Sequence, residues 1–192
     1  MSGYLIGIIV VVLAVVLHRL FSVRAARIES PVLGFLNLSG AAGAEYLEED
    51  RTAFGPLFNS IQESDFQPPG CNVLFIYGAL EFDGRIREST QSLGDIISQA
   101  GACVVILAVG NDSASCTAAL KETPTRGVNL MLPLAREGQA FSRFYKELFT
   151  GMMRGISMPI MWNRLAPQYP GAEHSNVPGS FGVMGAGQVS FR

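Results

Sequence analysis

Histidine, cysteine and charge are all scarce in this chain, and each scarcity closes off a class of chemistry. Two histidines, His18 and His174, leave little material for a metal site, and no metal is predicted. The three cysteines, Cys71, Cys103 and Cys116, are odd in number and none forms a CxxC pair. That pattern argues against a disulfide framework or a zinc knuckle and suits a reducing compartment. Charged residues make up 16% of the sequence, against roughly 25% in an average soluble domain. With a net charge of −2 and no broad basic stretch, unspecific nucleic-acid binding is not predicted, because it needs a wide cationic footprint. The phosphate-loop lysine, GxSxG and HExxH signatures are missing. Gly182–Gly187 (GVMGAG) has closely spaced glycines but does not link a first strand to a helix, so it is no dinucleotide turn. No cofactor is singled out.

What the chain does contain, at 192 residues, is room for one domain plus an appendage. The appendage is an apolar run. Residues 3–23 would make a helix of about 31 Å, which matches a bilayer core. Arg19, Arg24 and Arg27 follow or close it, which orients the chain with its bulk in the cytoplasm. The expectation is a single-pass membrane protein, with a cleaved export signal ending near Ala25 as the alternative. Gly3 and Gly7 have a GxxxG spacing, a possible basis for self-association.

The expected organisation is an anchor over 1–23, a juxtamembrane connector with short helices over 24–64, and an α/β domain over 65–192 with a Pro/Gly-rich tail. Val32–Gly40 reads as a short strand or apolar packing. Residues 44–64 have helical spacing broken at Gly55-Pro56. Past the Asp65–Gly70 punctuation (DFQPPG), strands and helices alternate. NVLFIYG, CVVILAV, VNLMLPL and MPIMWN read as strands, and helices lie around Leu93–Ala100, Asp112–Glu122 and Phe141–Met152. Such alternation predicts a mostly parallel, Rossmann-like three-layer sheet domain. Val104–Leu120 (VVILAVGNDSASCTAAL) resembles the strand–loop–helix of Toll/interleukin-receptor domains. The chain is too short for their full strand set, and no residue role is carried over.

Ligands of open parallel sheets gather beyond the carboxyl ends of the strands. That rule selects Glu81, Asp83, Asp112 and Arg136 as candidate ligand-binding residues on a polar rim of both signs. The expected function is a membrane-anchored module whose domain binds a small ligand or a protein partner. The alternative is a membrane-anchored hydrolase or transferase using Glu81 with Asp83, or Cys116 with His174 as base. Around Glu81 the segment FDGR also reads as an ordinary hairpin turn. Trp162 reads as core or its margin. Arg143, Lys146 and Arg154 read as a solvated helix face, with anionic lipid as the other contact.

Overall fold

The structure, a computed structural model, describes residues 25–192 apart from 88, 137 and 170–179. Its strands are β1 (Ala25–Ile28), β2 (Val32–Asn37), β3 (Ser60–Ser64), β4 (Val73–Tyr77), β5 (Val104–Leu107), β6 (Asn129–Pro133), β7 (Ser180–Met184) and β8 (Gln188–Phe191). Its helices are α1 (Ala41–Phe54), α2 (Leu93–Ala100), α3 (Ser113–Glu122), α4 (Gly138–Met153) and α5 (Met158–Leu165). Six strands form one sheet in the order β3-β2-β4-β5-β6-β7, while β1 and β8 pair apart from it. All pairings in the large sheet are parallel except β6 with β7. The protein is thus a mixed α/β fold with a mostly parallel sheet.

β4, β5 and β6 are buried at every position, so each appears in the sequence as an unbroken apolar run rather than an alternation. Alternate residues along each strand feed two separate cores. Leu33, Phe35, Phe75 and Ile106 pack with α1, α4 and α5. Leu36, Leu74, Ile76 and Leu107 pack with α2 and α3. From β2 the chain moves to one edge through α1 on the first face, then to the other edge through α2 and α3 on the second. Right-handed crossovers require that change of face.

The link from β3 to β4 contains no helix. Residues 65–72, extended, reach roughly 26 Å, enough to run back past a strand of about 17 Å. The link lies directly on β2: a Cβ at Gly34 would stand 2.5 Å from Cys71 Sγ and 3.0 Å from Pro69 Cγ. Asn72 fastens its end, with Oδ1 accepting from the Val32 N–H at 2.9 Å.

Several expectations are corrected. β2 and β3 belong to the same sheet as β4, so the α/β unit begins well before Asp65. Ser60–Ser64, read as helix, is an exposed edge strand. MPIMWN, read as a fourth strand, opens α5, with Pro159 in the first turn where its missing N–H costs nothing. Met158, Met161, Trp162 and Leu165 face the core at i, i+3, i+4 and i+7, which is helical spacing. The tail supplies β7 and β8, and Gln188–Phe191 pairs with β1.

The expected single-pass membrane protein with a cytoplasmic domain is also corrected. Among the described residues no helix is long and apolar enough to cross a membrane. The longest, α4, has 16 residues, about 24 Å at 1.5 Å per residue, and it bears Arg143, Lys146 and Glu147 on its exposed side. The segment 1–23 on which the expectation rested lies outside the described residues.

Candidate functional site

β2 is the strand from which the sheet order runs both ways, and its carboxyl end borders a crevice of 620 Å³. Asn37, Leu38, Ser39 and Gly40 line one side, Asp65 and Phe66 the other. The first loop is held from two directions. The Tyr77 carbonyl accepts from the N–H groups of Leu38 (2.9 Å) and Ser39 (3.0 Å). Asn37 closes the turn, its Oδ1 accepting from the Ser39 N–H at 3.2 Å and its Nδ2 donating to the Gly40 carbonyl at 2.9 Å.

Gly40 has φ +56°, and nothing lies within 4 Å of where its Cβ would stand. A residue with a side chain would be strained there and would reach into the open crevice. α1 starts at this point with no side chain capping it. α2 and α3 differ: Ser92 and Asp95 make a capping box on α2, and Asp112 caps α3. On the far side, Ser64 Oγ accepts from the N–H groups of Phe66 (3.3 Å) and Gln67 (3.2 Å), which fixes the turn displaying Phe66. That ring is 86% exposed.

The sequence signal for this crevice is Leu38–Gly43 (LSGAAG). It keeps the last two glycines of a strand–GxGxxG–helix turn and follows the first strand of the sheet. Gly43 fills the close-packing role, since a Cβ there would stand 3.0 Å from Tyr77 Cβ.

The four residues selected from sequence do not share one partner or one cavity. Glu81 pairs with Arg87 at 2.8 Å on the exposed turn closed by the Leu80–Ile86 bridge. Asp83 accepts from the Arg85 N–H at 3.0 Å and lines a separate hollow of 440 Å³ against Ser113, Thr117 and Lys121 of α3. Asp112 accepts from the Ser115 hydroxyl at 2.6 Å and the Ser115 N–H at 2.9 Å. These bonds hold its carboxyl below the usual carboxylate range.

Arg136 turns inward, its side chain only 2% exposed. Nη1 and Nη2 donate to the two Asp50 oxygens at 2.8 and 3.0 Å, and Nη1 also reaches the Ala108 carbonyl at 3.1 Å. The guanidinium lies between the rings of Tyr46 (4.4 Å) and Phe141 (4.2 Å). Asp50 also accepts from the Tyr77 hydroxyl at 2.9 Å. Burial pushes the Asp50 carboxyl up to about 6 against the pull of Arg136 and Tyr77. A forked, doubly bonded pair of this kind is a fixed tie between α1 and the β6–α4 turn. The expectation of Arg136 as a solvent-facing rim residue is therefore corrected.

Cys116 is fully buried against the second core, and burial pushes its thiol up to about 11, the opposite of an activated nucleophile. His174, its expected base, lies outside the described residues. Among the described residues no three His, Cys, Asp or Glu side chains are grouped to hold a metal ion. The fold is a mixed α/β domain with a mostly parallel sheet and an open crevice at its first crossover. A scan against protein-family models finds no match, and a search of curated proteins finds none either.

Proposed function

We propose that this domain is a binding module for a small, phosphate-bearing ligand of nucleotide type, taken in the crevice at the carboxyl end of β2. One observation carries the reading: a crevice of 620 Å³ beside the strand where the sheet order turns, the position at which open parallel sheets take ligands. Its size falls within the roughly 300–1,000 Å³ of small-molecule pockets.

The walls offer complementary chemistry. Backbone N–H groups at the start of α1 favour an anion. The Asp65 carboxylate accepts from sugar hydroxyls, and the exposed Phe66 ring offers a flat apolar surface to a base. The test is calorimetric titration of the full chain with ATP, AMP and NAD, repeated on Phe66→Ala and Asp65→Asn. Both side chains are at the surface, so each variant should keep its stability to within about 0.5 kcal/mol. Loss of a stacked base should weaken binding by about 1–3 kcal/mol. Equal affinity in the wild type and in both variants, or no binding of any of the three ligands, overturns the proposal.

A further inference from the structure

The outer side of α4 carries a second concavity of 630 Å³, lined from α4 by Arg143, Lys146 and Glu147, from the turn just after it by Arg154, and from α5 by Met161 and Arg164. Residues 143, 146, 147 and 150 are spaced so that they share one stripe of the helix, and Arg154 follows its last turn. Gly151 brings the second wall into place. A Cβ there would stand 2.7 Å from Met161 Cγ, so a larger residue would have to displace the Met161 side chain.

Four cations and one carboxylate therefore surround a single cavity. Arg51, Arg85, Arg87 and Arg136 each hold a carboxylate. Among the described residues, no carboxylate lies within ion-pair distance of Arg143, Lys146, Arg154 or Arg164. Arg143 rests on the Tyr169 ring at 5.2 Å, which orients it without neutralising it. We infer that this cavity binds a soluble ligand carrying two or more phosphate groups. Three of the four cations are arginines, whose planar forks match phosphate oxygens two at a time. Cations on two walls are best bridged by more than one phosphate, and the apolar floor at Met161 leaves space for the ligand's carbon framework. The inference is independent of the crevice at β2.

The experiment is calorimetric titration of the full chain with inorganic tripolyphosphate, and with orthophosphate as the single-anion comparison. Tripolyphosphate should bind about tenfold or more tighter than orthophosphate, and its affinity should fall as salt rises. The double variant Lys146→Glu with Arg154→Glu should lose about tenfold or more of that affinity. Arg164→Gln, a milder change on the other wall, should lose part of it and guards against misfolding of the double variant. Lys121→Glu on α3 should bind like the wild type. Equal affinity for the two anions, undiminished binding in the folded groove variants, or no binding of tripolyphosphate overturns the inference.

Discussion

On one face of the sheet Phe35, Phe54, Phe75, Tyr77, Phe141, Phe144, Tyr145 and Phe149 form a continuous aromatic core under α1, α4 and α5. On the other, the core under α2 and α3 is leucine, isoleucine, valine, alanine and two cysteines. The aromatic rings meet mostly tilted or edge-on, as Phe75 does with Tyr145 (5.3 Å, 82°) and Phe58 with Phe149 (5.3 Å, 79°), the arrangement their quadrupoles favour. The faces also hold their helices differently. α2 and α3 are fastened at their starts by side-chain caps. α1 lacks such a cap and is fastened mid-helix instead, through Asp50 to Arg136 and Tyr77. The start of α1 is left without a side-chain cap where it borders the crevice.

The sharpest way to break this comparison is to cut the buried tie. Arg136→Ala leaves Asp50 fully buried without its cation, as an uncompensated charge or forced to take up a proton, and loss of one partner of such a pair typically costs about 3–5 kcal/mol. The double replacement Arg136→Met with Asp50→Leu removes both charges and should recover most of that loss. Urea unfolding of the two proteins measures the difference. A near-neutral Arg136→Ala would mean that caps and tie are not alternative ways of fixing a helix.

Next come the cores themselves. Phe144 and Leu107 are both fully buried, one in each core. Phe144→Ala should cost about 3–5 kcal/mol and Leu107→Ala about 2–5 kcal/mol. If Leu107→Ala proves clearly the more costly, the aromatic face is the one able to collapse around a void.

Much of this contrast was open to reading in the sequence. β4, β5 and β6 are buried on both sides, so their apolar runs stand out unbroken, and the stripe of α4 follows its helical period. The misreadings have physical causes. β3 is a polar edge strand that contributes little to either core, so no hydrophobic pattern marks it. At the start of α5 several apolar residues fall in succession, which mimics a buried strand, although Met158, Met161, Trp162 and Leu165 already carry the helical spacing. The tie between Asp50 and Arg136 spans 86 residues, and no local pattern announces such a pairing. The crevice had a local signal in Leu38–Gly43 (LSGAAG), but it gains meaning only once β2 is known to be the first strand of the sheet.

A smaller effect concerns the aliphatic face. Its two buried thiols, Cys71 and Cys116, are raised by burial to about 12 and about 11, so almost no thiolate is present near neutral pH. Iodoacetamide at pH 7.5 or thereabouts should modify Cys116 only slowly in the folded protein and rapidly after denaturation. Rapid labelling of the folded protein at Cys116, located by peptide mass mapping, would mean that the α3 side opens far more readily than its packing implies.

The smallest effect, and the one that isolates the caps, is the pH dependence of Asp112. Hydrogen bonds from the Ser115 hydroxyl and the Ser115 N–H hold this carboxyl below its ordinary value. A carboxyl lowered in the folded state binds its proton more readily when unfolded, so it stabilises the fold above the unfolded value of about 3.9. That contribution is lost as pH falls through the lower, folded value. Asp112→Ala should therefore melt below the wild type by a constant margin near neutral pH, and the margin should shrink once the pH drops under about 4. Asp50, raised by burial, does not share this direction, so measuring each variant against its own wild-type scan separates the two aspartates. A margin that stays constant to the lowest pH at which both proteins fold would show that Asp112 acts through its shape alone. The capped helix would then be held no more by charge than α1 is at its start.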